Sequence, residues 1–268
     1  MISAMSASVA PATGRRKPRR PRSRATFTSV LGELLLTAGV LVLLFVAWQM
    51  WIGDIIINAQ KNDEGAAISQ QLASTPAPSP PPLVENDDGT TSYEIPIPAA
   101  PVESQWLGQM HIPRFGTDYN KGIYGGTTRA GTLDKLGIGV YTNSKMPGEV
   151  GNFAMAGHRT TWGKPFNQLD KLHVGDAIVV ETADGWYTYR FRTLEYVKPS
   201  QTDVLFDVPQ LPGVATGERY ITLTACSPLY SLAERIVAYG VFESFQPRAE
   251  GPPKALTDPP PPPAAPSV

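Results

Sequence analysis

Residues 220–245 read YITLTACSPLYSLAERIVAYGVFESF. Two runs rich in β-branched and aromatic residues, 220–225 and 235–245, flank a segment that Ser227 and Pro228 turn out of any strand. The pattern predicts two strands joined by a loop. If they are antiparallel neighbours, Cys226 ends one, Arg235 opens the other, and the two side chains oppose each other at one rim. A lone cysteine is more often a small buried hydrophobe. A strand end, however, is where functional side chains are presented to solvent. An arginine beside a thiol favours the thiolate or holds a developing oxyanion. On spacing alone a surface arginine fits Arg235 equally well.

Upstream the same β character recurs. QWLGQMHIP (105–113) and NFAMAG (152–157) read as strands, and residues 132–136 as one helical turn. AIVVET (177–182) and WYTYRFRTLEY (186–196) flank Ala-Asp-Gly, a hairpin signal. Seven or eight strands in one unit predict a closed β-barrel or a sandwich. His158 follows the 152–157 run directly and is the second candidate for chemistry. His111, inside a strand pattern, and His173, in a turn, take structural roles.

Composition bounds the unit. Of 27 prolines, three lie before residue 30, eight in 76–101 and nine in 247–268, leaving seven for 102–246. The Pro-rich character therefore belongs to a linker and a tail. The linker STPAPSPPP to IPIPAAP predicts an extended spacer, and the tail a disordered segment. One cysteine excludes a disulfide scaffold. One Cys and three scattered His give no metal-ligand spacing, and no phosphate-binding glycine loop or Gly-x-Ser-x-Gly elbow is present. No metal and no cofactor are expected.

The N-terminus carries the last signal. Residues 1–33 hold seven basic groups against Glu33, a net of +6, whereas the remainder is −7. An acidic domain is repelled by phosphates, so nucleic acid is not an expected partner. Residues 34–52 (LLLTAGVLVLLFVAWQMWI) contain no charge and span about 28 Å as a helix, close to a ~30 Å hydrocarbon core. The apolar stretch is longer than that of a signal peptide, and no A-x-A site follows. The expected layout is a basic cytoplasmic segment 1–33, one transmembrane signal anchor 34–52, a helix and Pro-rich linker 53–102, a domain 103–246 and a tail 247–268. The basic flank keeps the N-terminus inside and places residues 53–268 outside the cell membrane.

Two strings carry a resemblance. TLTACSPLYSLAERIVAYG (222–240) resembles the sortase signature, in which T-L-x-x-C closes one strand and Arg opens the next. MPGEVGNFAMAGHRTTWGKPF (146–166) is similar to the sortase segment around the catalytic histidine, and LDKLHVGDAIVVET to the strand pair after it. The resemblance covers residues ~103–245. Ser-Pro after the cysteine and nine residues from Cys to Arg look most like class E enzymes of high-GC Gram-positive bacteria.

The resemblance implies a mainly β fold: an eight-stranded barrel with short helices, preceded by one transmembrane helix. It implies a cysteine transpeptidase that anchors surface proteins to the cell wall. The nucleophile falls on Cys226, the general acid/base on His158 and the oxyanion or substrate-orienting role on Arg235. Leu223 and Thr224 fall on the strand lining the family's peptide groove. The implied partners are secreted proteins with a C-terminal LPXTG- or LAXTG-like signal, cut between Thr and Gly, and a lipid-linked peptidoglycan precursor whose amine takes the acyl group. No Asp-Pro-aromatic lid motif lies in 53–104, which favours housekeeping anchoring over pilin polymerisation. Two rivals remain: an L,D-transpeptidase-like enzyme, whose Ser-x-Gly-Cys-x-Arg motif is absent, and an inactive membrane-tethered binding domain.

Overall fold

The computed structural model describes residues 26–48, 52–86 and 89–258. Its first helix, α1 (Phe27–Ala47), forms a unit of its own. Glu33 is its one ionisable residue, none of its side chains is buried, and its mean hydropathy reaches 2.5. It is long and apolar enough to cross a membrane. It begins seven residues before the apolar stretch 34–52, because Phe27, Val30 and Leu31 carry the apolar character past Glu33. The basic cluster 15–24 and Trp51 lie outside the described residues.

The second unit opens with α2 (Gly53–Ser74) and a small hairpin, β1 (Leu83–Glu85) and β2 (Thr91–Tyr93). Eight strands follow: β3 (Trp106–His111), β4 (Asn120–Gly125), β5 (Ile138–Val140), β6 (Gly151–Ala156), β7 (Ala177–Glu181), β8 (Gly185–Val197), β9 (Arg219–Ser227) and β10 (Glu234–Pro247). They close into a barrel in the order β10-β8-β7-β3-β4-β5-β6-β9. Pairing is antiparallel except for β4 with β5 and β6 with β9, which are parallel. The expected eight-stranded barrel is thus the observed one. A short helix, α3 (Lys254–Thr257), ends the described chain.

Period-two alternation sorts each strand between two faces. On β9, Ile221, Leu223 and Ala225 point into the core, where they meet Phe153 and Met155 of β6 and Ile236 and Ala238 of β10. Burying one such side chain contributes roughly 1.5–3 kcal/mol. The alternate residues Thr222, Thr224 and Cys226 face outward. Part of this outer face is roofed by the β8–β9 connection, whose Val204 packs with Val197, Val237 and Tyr239. Asn152 pins that roof by donating from Nδ2 to the carbonyls of Val204 and Phe206, at 3.1 and 3.0 Å.

Both Pro-rich expectations need correction. The linker does not stand clear of the domain. Tyr93 and Ile95 pack on the core, and the Tyr187 hydroxyl donates to Pro96 O at 2.8 Å. Gly148 makes this approach possible: a Cβ there would lie 2.4 Å from Ile95 Cγ2, and its φ of +81° also excludes a side chain. Isoleucines between the prolines give the strap apolar groups to bury, which a bare polyproline spacer lacks. The tail is ordered at least to Asp258. Arg248 is buried, and Ala255 and Leu256 pack against Ala177, Val179 and Trp186. Residues 259–268 lie outside the described residues.

The helix expected after the apolar stretch is present as α2, 22 residues long and laid on β4. Gly65 sets the approach, since a Cβ there would meet Asn120 O at 2.5 Å. Beneath the helix, the buried Lys121 donates to Asn58 O and Oδ1 at 2.9 and 2.8 Å. Burial pushes this amine down to about 8. Glu181 sits below the ordinary carboxylate value. Burial raises it, but hydrogen bonds from His111 and Ser69 and the charges of His111 and Arg248 outweigh that.

Candidate active site

Cys226 is the penultimate residue of β9 and Arg235 the second of β10, and the ladder pairs them directly. Directly opposed residues on one face have Cβ atoms about 4.5–5.5 Å apart. Arg235 shares the outward face of β10 with Val237 and Tyr239, while Ile236 and Ala238 fill the core. The thiol is free and partly exposed.

His158 reaches the same rim from the other side of β9. The parallel β6–β9 register pairs Ala156 with Thr224, and the N–H of Gly157 then donates to Thr224 O at 3.0 Å. Two residues beyond that pair, His158 and Cys226 stand in step on the outward parity. Three hydrogen-bonded neighbours, β6, β9 and β10, therefore present His158, Cys226 and Arg235 at one end of the barrel.

The histidine is held by a residue the sequence reading missed. Asp134 Oδ1 lies 2.7 Å from His158 Nε2, and both side chains are largely buried. Asp134 follows a single helical turn, Arg129–Leu133, whose start is capped by Thr128 Oγ1 accepting from the Gly131 N–H at 3.1 Å. Arg129 lies 3.4 Å from the same carboxylate. With Nε2 engaged, Nδ1 is the ring nitrogen left for proton exchange. No local signal marks Asp134, because the contact spans 24 residues.

Arg235 Nη1 donates to the carbonyls of Leu232 and Glu234 at 3.2 and 2.9 Å. Among the described residues its Nε and Nη2 make no hydrogen bond. The guanidinium is thus oriented by its own loop, with donors to spare.

The two expected groove residues part company. Leu223 is fully buried in the barrel core, so its side chain cannot line a groove on the outer face; the alternation from Cys226 places position 223 inward. Thr224 has the outward parity. Its Oγ1 donates to Met155 O at 3.2 Å and lies 2.9 Å from the Tyr141 hydroxyl. Tyr141, partly exposed, is a further rim residue that the sequence reading did not select. Among the described residues no group of three or more His, Cys, Asp or Glu is placed to hold a metal ion.

Comparison with known proteins identifies the family. The sortase domain family matches residues 110–243. Sortase SrtE1 of Streptomyces coelicolor is 32% identical over 246 residues, 90% of this chain and 64% of SrtE1, so the chain spans under two thirds of that relative. Sortase SrtE2 of the same organism is 32% identical over 235 residues, 85% of this chain and 87% of SrtE2. Among solved structures, Sortase E1 from Streptomyces coelicolor with a tripeptide in the active site is 35% identical and superposes with a TM-score of 0.54, covering 59% of this chain and 99% of that one. A thiol strand flanked by a histidine strand and an arginine strand, in a barrel that these relatives share, makes the chain a member of the sortase family of cysteine transpeptidases, with its likeness to class E.

Proposed function

We propose that Cys226, His158 and Arg235 carry out a two-step acyl transfer on the outer face of the β6–β9–β10 rim. The reactive form holds the thiolate on Cys226 and the proton on His158. The sulfur attacks the threonine carbonyl of a C-terminal LPXTG- or LAXTG-like signal. The C–N bond to glycine breaks, and His158 gives its proton to the leaving amine. A thioester on Cys226 remains. An acceptor amine attacks it, the C–S bond breaks, and the surplus proton returns to His158. Arg235 donates to the oxyanion in both tetrahedral stages. Asp134 holds the histidine ring by Nε2 throughout. The acceptor is a lipid-linked peptidoglycan precursor, and α1 tethers the domain to the cell membrane with the N-terminus inside.

The observation that carries this reading is the pairing of Cys226 with Arg235 on one face, with His158 in step on the neighbouring strand. It favours a working enzyme over an inactive binding domain, since all three groups converge. Incubation of the full-length protein with a sorting-signal peptide should leave the acyl half of that peptide on Cys226, visible as a mass increment on the peptide fragment containing residues 220–234. Absence of the adduct, with intact protein and peptides of both motif types, sinks the reading.

A further inference from the structure

α2 turns its polar residues inward and its apolar ones outward. Towards the barrel it buries Asp54, Asn62 and Gly65. Its outer face opens with Ile52, Ile55, Ile56 and Ala59, spaced i, i+3, i+4, i+7, and all four are exposed. Ile52 is 49%, Ile55 62% and Ile56 55% in solvent. The next residue of this stripe is Asp63, beside Glu64, so the apolar surface ends there. A helix of a soluble domain sets such a stripe against its core. Here the packed face is the polar one.

A further apolar group stands at the same end of the helix. The loop after β6 brings Trp162 to the first turn of α2. The Trp162 backbone lies against the Asp54 carboxylate, a Cβ on Gly163 would be 3.4 Å from Ile57 Cγ2, and Lys164 Nζ is 3.9 Å from Asp54 Oδ2. Trp162 is 45% exposed, at a φ of +56° that bulky residues rarely adopt. The base of this loop is fixed. Arg159 Nη1 donates to Ser227 Oγ at 3.1 Å, and the Phe166 N–H donates to His158 O at 3.0 Å. Single exposed apolar residues are ordinary, but several large ones at one end of a unit mark a contact surface. Chain continuity names the cover. Ile52 lies five residues after Ala47, the end of α1, a reach of at most about 18 Å.

We propose that Ile52, Ile55, Ile56 and Trp162 form an interfacial patch that embeds in the headgroup region of the membrane spanned by α1. The inference rests on the anchor reading above. The isoleucines enter the acyl boundary, and the indole takes the headgroup level, where its apolar body and its N–H are both accommodated. The anchor then fixes the orientation of the domain as well as its distance. His158 is four residues before Trp162, so the end of β6 is held within roughly 14 Å of the headgroups. Asp63 and Glu64 stay in water.

The test uses the full-length protein in nanodiscs of phosphatidylcholine and phosphatidylglycerol. Cys226 is the only cysteine, so Cys226→Ala gives a background for one nitroxide label at a time. Labels at Ile56→Cys and Thr161→Cys read the patch, and one at Leu41→Cys reads α1. Leu83→Cys, on β1 and exposed to the same degree as Ile55, is the aqueous reference. Oxygen concentrates in lipid, and a nickel chelate stays in water. The ratio of oxygen to nickel collisions should be on the order of tenfold higher at residues 56 and 161 than at 83. Ratios at 56 and 161 equal to that at 83 overturn the proposal. The anchor reading survives that result if the label at 41 meets oxygen alone, and fails with it if 41 meets nickel. Shielding of 56 from both reagents, with spin–spin broadening, means that a second copy covers the stripe and also overturns the proposal. Ile55→Glu combined with Ile56→Glu changes two exposed positions. It should return the label at 161 to nickel while 41 keeps its oxygen contact. A label at 161 that ignores this change refutes a single patch shared by helix and loop.

Discussion

Two faces of the barrel treat charge in opposite ways. Under α2, Lys121, Glu181 and Arg248 are buried and His111 is largely covered, and each has a protein partner within about 3 Å. At the β6–β9–β10 rim, Cys226 is free, Arg235 is bound only to carbonyls of its own loop, and Arg159 keeps an unpartnered Nε. The first face spends its polar groups on holding the chain together. The second keeps donors in reserve for something that is not part of the fold. The comparison says where substitutions cost activity and where they cost stability.

The sharpest way to break it is Cys226→Ala. That variant should lose all thioacyl formation while its melting temperature stays within a few degrees of wild type; residual turnover would remove the thiol from the mechanism. Glu181→Ala should do the reverse. Leaving the buried Arg248, and His111 beside it, without their carboxylate costs about 3–5 kcal/mol, or a fall of about 10 °C by calorimetry. The kcat of the folded fraction should be unchanged, and a matching loss of kcat would erase the distinction between the faces.

Lys121 gives the same face a pH signature. Its folded-state value of about 8 lies below the ordinary 10.5. Between those values the unfolded chain binds a proton that the folded chain has shed, so stability contributed by this group rises with pH across that window. In Lys121→Met this rise is absent. The stability of the variant relative to wild type should therefore decline from pH 8 to 10.5, by on the order of 3 kcal/mol at most. A difference independent of pH would show that Lys121 is not desolvated by α2.

The remaining two substitutions sharpen the rim. Arg235→Lys keeps the charge but loses the fork. It should lower kcat/KM at least tenfold, about 1.4 kcal/mol; near-normal activity would mean that charge alone suffices or that Arg159 does the work. Asp134→Asn should lower kcat about fivefold, roughly 1 kcal/mol, with the KM of the sorting peptide unchanged. Its signature is spectroscopic: the ring nitrogens of His158 should change tautomer in ¹⁵N spectra. An unchanged tautomer would leave Asp134 a spectator.

The strands that the sequence shows plainly are those with apolar or β-branched runs, and β6 to β10 fall within two residues of where those runs lie. β4 and β5 were not legible. NKGIYG has a single strongly apolar aliphatic residue, and Ile138–Val140 is three residues long; both are strands because their neighbours complete them. α2 was legible as a helix, but not its packing on β4, because it hides Asp54, Asn62 and Gly65 rather than an apolar stripe. At the site, Cys226 and Arg235 were readable from strand ends, and His158 from its place after an apolar run. Asp134, Tyr141 and Arg159 depend on contacts across 24, 83 and 68 residues, which no local pattern encodes. Leu223 was the opposite failure. Counting by twos from Cys226 places it inside, and the signature string drew attention to the wrong parity.

The closing of the barrel also sets a schedule. β10 is the last strand of the barrel, and it seals the wall by pairing with β8 on one edge and β9 on the other. His158 and Cys226 come into step when β6 finds β9, but Arg235 arrives only with β10. A chain still emerging from its ribosome or from a translocation pore, short of residue 247, therefore carries its sulfur without the arginine strand beside it. Under the proposed mechanism such an unfinished molecule lacks its oxyanion donor and should not transfer an acyl group.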